Sequence, residues 1–144
     1  MGPEPVRLLL VEDNPADVFL MEAALDLAHL PVTLTVARDG REALDLLGVT
    51  PAGDLPSLIL LDLNMPRMNG FELLSALRAD EALMYLPVVV FTTSNAPADV
   101  KRAYALQANS YFSKPATLDE FLRLIELLEV YWFGAASLPR TYSP

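Results

Sequence analysis

The chain has no cysteine. That removes disulfides, thiolate metal sites and a thiol nucleophile, and it is compatible with a reducing compartment. Basic residues are scarce as well. Ten Lys and Arg face 19 Asp and Glu, for a net charge of −9. Nucleic-acid affinity rests on Lys and Arg neutralising phosphates, so a nucleic-acid partner is not expected. No apolar run approaches the roughly 18 residues of a spanning helix. Near the N-terminus, Leu8 to Val11 is cut off by Glu12 and Asp13, too soon for a signal sequence. Val6 stands where myristoylation needs Ser or Thr. The expectation is a soluble, cytoplasmic protein with no membrane partner. Internal repeats, low-complexity segments and a second domain are missing too.

What the chain does have is apolar content, 53% of 144 residues. A chain of this length buries roughly two thirds of its unfolded surface and can hold a core without staples. One domain is expected over 1–144, with its core at about 6–129 and an aromatic extension at 130–144. The Pro-containing tail 137–144 is expected to order only against a partner.

Short unbroken apolar runs read as strands buried on both faces. Three fit: Val6 to Val11, interrupted only by Arg7, then Leu58 to Leu61, and Val88 to Phe91 after Pro87. Val32 to Ala37 alternates Val and Leu with Thr and suits a half-buried edge strand. Ser110 to Ser113 is a short fifth strand. Helices fall between them. Asn14-Pro15 looks like an N-cap with Pro at the first helical position. Asp39-Gly40 opens a second helix, with Gly48 as its expected C-terminal cap. Gly70 precedes a third helix, Pro97 starts a fourth, and Thr117 to Glu120 is a capping-box pattern for a fifth ending at Gly134. Val49 to Ser57 is a long loop.

Five βα units call for a parallel sheet with helices on both faces. Right-handed crossovers leave few topologies. A flavodoxin-like, doubly wound five-stranded parallel sheet of order 2-1-3-4-5 with five helices fits best, its switch point between strands one and three.

Ligands of such folds bind outside the carboxyl ends of the strands. Strand one ends in Glu12-Asp13, strand three in Asp62, strand four in Thr92 and strand five in Lys114. Strands one and three are neighbours in this order, so three carboxylates converge. Like charges that close repel, and at least one carboxylate would protonate unless a cation is present. Oxygen-only ligands point to a hard cation such as Mg²⁺, which keeps waters and accepts phosphate oxygens. Thr92 and Lys114 add a hydroxyl and an ammonium beside Asp62, completing a phosphoryl-binding pocket. An aspartate there can act as nucleophile and carry an acyl phosphate.

These residues resemble the receiver domain of two-component response regulators, the CheY-like fold. The resemblance rests on Glu12-Asp13, Asp62-Leu63-Asn64-Met65-Pro66, Thr92, Tyr111 and Lys114-Pro115, in order and at strand ends, and covers about Val6 to Glu129. It implies that a sensor histidine kinase phosphorylates Asp62. It also implies that Asp13, Asp62 and the main-chain carbonyl of Asn64 ligate Mg²⁺, with Glu12 acting through a bound water. Thr92 and Lys114 would bind phosphoryl oxygens, Tyr111 would swing as Thr92 moves, and the Lys114–Pro115 bond would be cis. Phosphotransfer and dephosphorylation would be self-catalysed, in a signalling domain rather than an enzyme. Val11 to Asp17, Phe91 to Ser94 and the aromatic cluster closing the last helix are similar to the single-domain subgroup paired with phytochrome-type histidine kinases. With no room for a DNA-binding output domain, output is expected through protein contact, as a relay intermediate or as a phosphate sink.

Plainer readings compete at several positions. Glu12-Asp13 could be a solvated turn, Thr92 could merely end a strand, with Thr93 and Ser94 rivals for its role, and Tyr111 could be a common strand aromatic. His29 could serve a phosphohistidine relay, but a histidine near a helix C-terminus needs no such role. A Mg²⁺-dependent phosphohydrolase with an aspartyl nucleophile is the rival mechanism; it needs an acid where Asn64 stands. A phosphorylation-independent interaction module is a third reading. Trp132 falls on the face of Phe121, Leu124, Ile125 and Leu128 and could extend the core. The apolar arc with Leu122, Tyr131, Trp132 and Phe133 is wider than one sheet needs. A homodimer through the helix 4–strand 5–helix 5 face is therefore expected.

Overall fold

A computed structural model describes residues 6–135, with side chains as far as Trp132. Phe133 as an interface side chain and the tail 137–144 therefore lie outside what is described. Strands β1 (Val6–Val11), β2 (Val32–Ala37), β3 (Leu58–Leu61), β4 (Val88–Thr92) and β5 (Ser110–Ser113) alternate with helices α1 (Pro15–Ala28), α2 (Gly40–Val49), α3 (Gly70–Ala79), α4 (Pro97–Ala105) and α5 (Leu118–Leu128). All strand pairings are parallel and the order is β2-β1-β3-β4-β5.

Strand alternation divides the core into two layers. Leu9, Val11, Ile59, Leu61, Val88 and Val90 face α2, α3 and α4. Leu8, Leu10, Leu58, Leu60, Val89 and Phe91 face α1 and α5, where the Phe91 ring meets Phe121 edge to face with centroids 5.6 Å apart. Both layers are apolar, which is why the central strands read as continuous hydrophobic runs. β2 keeps Thr33 and Thr35 exposed, as its alternation predicts for an edge.

Local signals set the helix starts. The Asn14 side chain accepts from Ala16 N–H at 2.9 Å, with Pro15 next. Thr117 accepts from Glu120 N–H at 3.2 Å. Two ends differ from expectation. Gly48 lies inside α2, and Thr50 closes that helix, its N–H donating to the Leu47 carbonyl. The last helix does not simply stop at Gly134: past Leu128 it widens into a π-helical extension, Glu129–Ala135. The long loop carries one 3₁₀ turn, Ala52–Asp54, whose Gly53 carbonyl accepts from the Arg7 guanidinium at 2.8 Å.

Gly70 matters for the site. A Cβ there would press into the Asp62 carbonyl oxygen and stand 2.8 Å from Leu63 Cα. Only glycine allows the start of α3 to fold back this closely onto the end of β3.

Candidate functional site

Because the strands are parallel, their carboxyl ends share one edge of the sheet. Val11 pairs with Leu61 in register, so the next residues, Glu12 and Asp62, stand side by side. Asp62 N–H continues the ladder to the Val11 carbonyl at 3.0 Å. On the other flank, Lys114 N–H donates to the Thr92 carbonyl at 2.8 Å, carrying the lysine to the same edge.

Carboxylate oxygens of Glu12, Asp13 and Asp62 all lie within 4.8 Å of one another. Glu12 and Asp62 are buried and Asp13 is exposed, so the cluster opens to solvent on one side. The Lys114 Nζ reaches into it. It donates to Asp17 Oδ2 at 2.9 Å and to Asp62 Oδ2 at 3.2 Å, and lies 2.6 Å from Glu12 Oε2. The Glu12 contact is a buried ion pair.

Burial pushes the Glu12 carboxyl up from 4.5 to about 7. The Lys114 contact opposes this, the Asp62 charge adds to it, and the Asn14 N–H opposes it. Burial would lower the Lys114 ammonium, but its contacts with Glu12 and Asp17 more than compensate, and the net shift is upward. Burial dominates the shift of Glu12, whereas the shift of Lys114 marks the negative charge gathered round it. Three carboxylates whose oxygens lie this close together, with no nitrogen or sulfur ligand among them, are the setting a hard divalent cation fits.

Asn64 N–H donates to Asp62 Oδ1 at 3.3 Å, and its side-chain amide points across to Thr92 Oγ1 at 3.4 Å. Thr92 is fully buried, while its rival Thr93 is exposed. Tyr111 is half-buried, its hydroxyl donating to the Ser94 carbonyl at 2.7 Å, and burial raises its pKa. The structure therefore brings together Glu12, Asp13, Asp62, Asn64, Thr92 and Lys114, with Tyr111 just beyond Ser94.

One implied feature is corrected. The Lys114–Pro115 bond is trans, as are all peptide bonds among the described residues. Trans is the lower-energy isomer of an X–Pro bond by about 0.5–1 kcal/mol. His29 takes the plain reading: it caps α1 with φ 53°, its N–H donating to the Asp26 carbonyl at 3.2 Å, far from the strand ends.

Asp17 is the member that strand-end reasoning missed. It lies in the first turn of α1. Its signal was positional, because the N-terminus of α1 follows directly from Glu12-Asp13 and must start over the same pocket. Of the expected interface residues, Leu122 and Trp132 are partly buried against the α1–α5 core layer, whereas Tyr131 is exposed and meets Trp132 edge to face at 5.2 Å.

Comparison with known proteins places this geometry. The probable methanogenesis regulatory protein FilR2 of Methanothrix harundinacea is 39% identical over 133 residues, covering 91% of this chain and 86% of that protein. Response regulator Rcp1 of Synechocystis is 36% identical over 138 residues, 94% of each. The Mn²⁺-bound form of Rcp1 superposes with a TM-score of 0.83, at 35% identity over 94% of this chain and 99% of that one. The phosphorylated cyanobacterial phytochrome response regulator RcpA gives 0.86, at 36% identity over 94% and 99%. Residues 8–126 match the family model of the response regulator receiver domain, and the chain belongs to that family.

Proposed function

We propose that Asp62 is the phosphoacceptor of this receiver domain, charged by a sensor histidine kinase in a Mg²⁺-dependent transfer. The carrying observation is the Lys114 ammonium, only 5% exposed and held 3.2 Å from the Asp62 carboxylate. An Asp62 oxygen attacks the phosphorus of the kinase phosphohistidine. The new O–P bond forms as the P–N bond breaks, and the imidazole leaves. Lys114 exchanges its Asp62 contact for a phosphoryl oxygen while Asp17 and Glu12 keep it aimed. Thr92 offers its hydroxyl on the other flank. Glu12, Asp13, Asp62 and the Asn64 carbonyl suit Mg²⁺, which when bound neutralises charge on the transferred group. Once Thr92 is drawn to the phosphoryl group, its contact with Asn64 is given up. That change is relayed past Ser94 to Tyr111 and the α4–β5–α5 face.

The rival phosphohydrolase reading finds no support at position 64, where an amide cannot protonate a leaving group. The likeness to Rcp1 and RcpA favours a phytochrome-type kinase as donor. No helix among the described residues is long and apolar enough to cross a membrane.

A small acyl phosphate with Mg²⁺ should add one phosphoryl group per chain, counted by intact mass, and chelation with EDTA should block it. A chain that takes no label under any condition would sink the mechanism. Output runs through a second copy of the chain. Leu127, Val130 and Tyr131 leave an exposed apolar stripe on α5 and its extension, and Tyr104 is exposed on α4. Sedimentation at micromolar protein should find a dimer; a monomer both with and without a phosphoryl mimic would refute this.

A further inference from the structure

The loop between β3 and α3 is tied down by a contact that the phosphoryl chemistry does not use. Arg67 sits in the left-handed region, φ 62°, which non-glycine residues adopt at a cost. Its guanidinium forks onto a single oxygen of Asp39: Nε donates to Oδ2 at 2.8 Å and Nη2 donates to the same atom. Asp39 is itself immobilised. It is buried and caps α2, accepting from Glu42 N–H at 2.8 Å. One residue on, Gly40 N–H donates to the Met68 carbonyl at 3.0 Å. A Cβ at Gly40 would stand 2.7 Å from that carbonyl, so only glycine lets the loop approach α2 this closely. At its other end the loop is fixed by Asn64 N–H on Asp62 and by Gly70 N–H on the Leu63 carbonyl, 3.1 Å. Asn64 is thus strung between the pocket and the N-terminus of α2.

We infer that the Arg67–Asp39 pair is a positioning device, holding the β3–α3 loop in its strained form so that the Asn64 main chain stays in place for the divalent cation. This rests on reading Asn64 as a carbonyl ligand. Outer groups that orient metal ligands typically change affinity by about 10–100-fold when removed. Arg67→Ala loses the tie and keeps the left-handed penalty, so the loop is driven out of place. Arg67→Gly loses the tie but tolerates the conformation. Arg67→Lys restores a charge contact without the fork.

The test is Mg²⁺ titration by calorimetry of the full chain and its three variants, with melting curves in EDTA alongside. Affinity should fall in the order wild type, Arg67→Lys, Arg67→Gly, Arg67→Ala, the last by about tenfold. In metal-free protein, the Gly40 amide should exchange with solvent faster in Arg67→Ala than in wild type. A purely structural ion pair would lower the melting temperature and leave Mg²⁺ affinity untouched, and that result overturns the inference. A wild-type chain that binds no Mg²⁺ would overturn the metal reading and the inference together. Wild-type binding with unaltered variants overturns the inference alone.

Discussion

Asp62→Asn is expected to abolish phosphoryl uptake while leaving the fold intact. An amide oxygen is not a nucleophile toward phosphorus, so label from a small acyl phosphate should drop from one group per chain to background. The fold should tolerate the change because Asn has nearly the same shape. Its oxygen can still accept from Asn64 N–H, and Lys114 keeps Asp17 and Glu12 as partners. Removing one negative charge from a crowded acidic pocket also relieves repulsion. The melting temperature of the metal-free variant should therefore equal or exceed that of wild type.

The other pocket carboxylates make poorer acceptors for reasons visible in their surroundings. Asp13 is exposed and has no lysine contact among those present. Glu12 is fully buried behind Lys114. Asp17 contacts the same ammonium but stands on α1, away from the Asn64–Thr92 flank. Asp17→Asn should accordingly retain its label. Label persisting in Asp62→Asn would place the acceptor elsewhere and overturn the assignment.

Most of the fold was legible because buried parallel strands announce themselves. Leu58 to Leu61 and Val88 to Thr92 have no solvent face, so their hydrophobicity is unbroken and their polar ends stand out. Strand order then set Glu12 beside Asp62 without any side-chain geometry. What escaped was the set of contacts that depend on helices and loops meeting at angles no periodicity encodes. Asp17 reaches Lys114 from the first turn of α1, a contact between residues 97 apart in the chain. Asp39-Gly40 read only as the opening of a helix, and nothing in Pro66-Arg67-Met68 says that residue 67 turns left-handed and lands on Asp39. Trp132 packs part of its ring against the α1–α5 core layer and leaves the rest at the surface, a division that helical periodicity alone could not give.

Glu12 also sets how the metal-free protein responds to pH. Its carboxyl is raised from 4.5 to about 7, so between those values the native state holds a proton that the unfolded chain has released. Stability must then fall as pH rises. The contribution is complete below about pH 4.5, shrinks through the window and is gone above about 7. Other shifted groups act elsewhere. Asp39 is held below its usual value of 3.8, first by the Glu42 N–H and then by Arg67, so its contribution is lost only in stronger acid. Lys114 is shifted upward from 10.5 and matters only in strong base. Urea unfolding in EDTA should show the fall between pH 5 and 8, and Glu12→Gln should flatten it. Mg²⁺ should stabilise the wild type far more at pH 8 than at pH 5, because a cation favours the ionised carboxylate that burial alone disfavours. An equal slope in Glu12→Gln would show that the burial of Glu12 is not the source. The cost of ionising a buried Glu12 beside Asp62 is what a divalent cation would relieve, and the negative charge of Glu12, Asp17 and Asp62 keeps Lys114 drawn in among them.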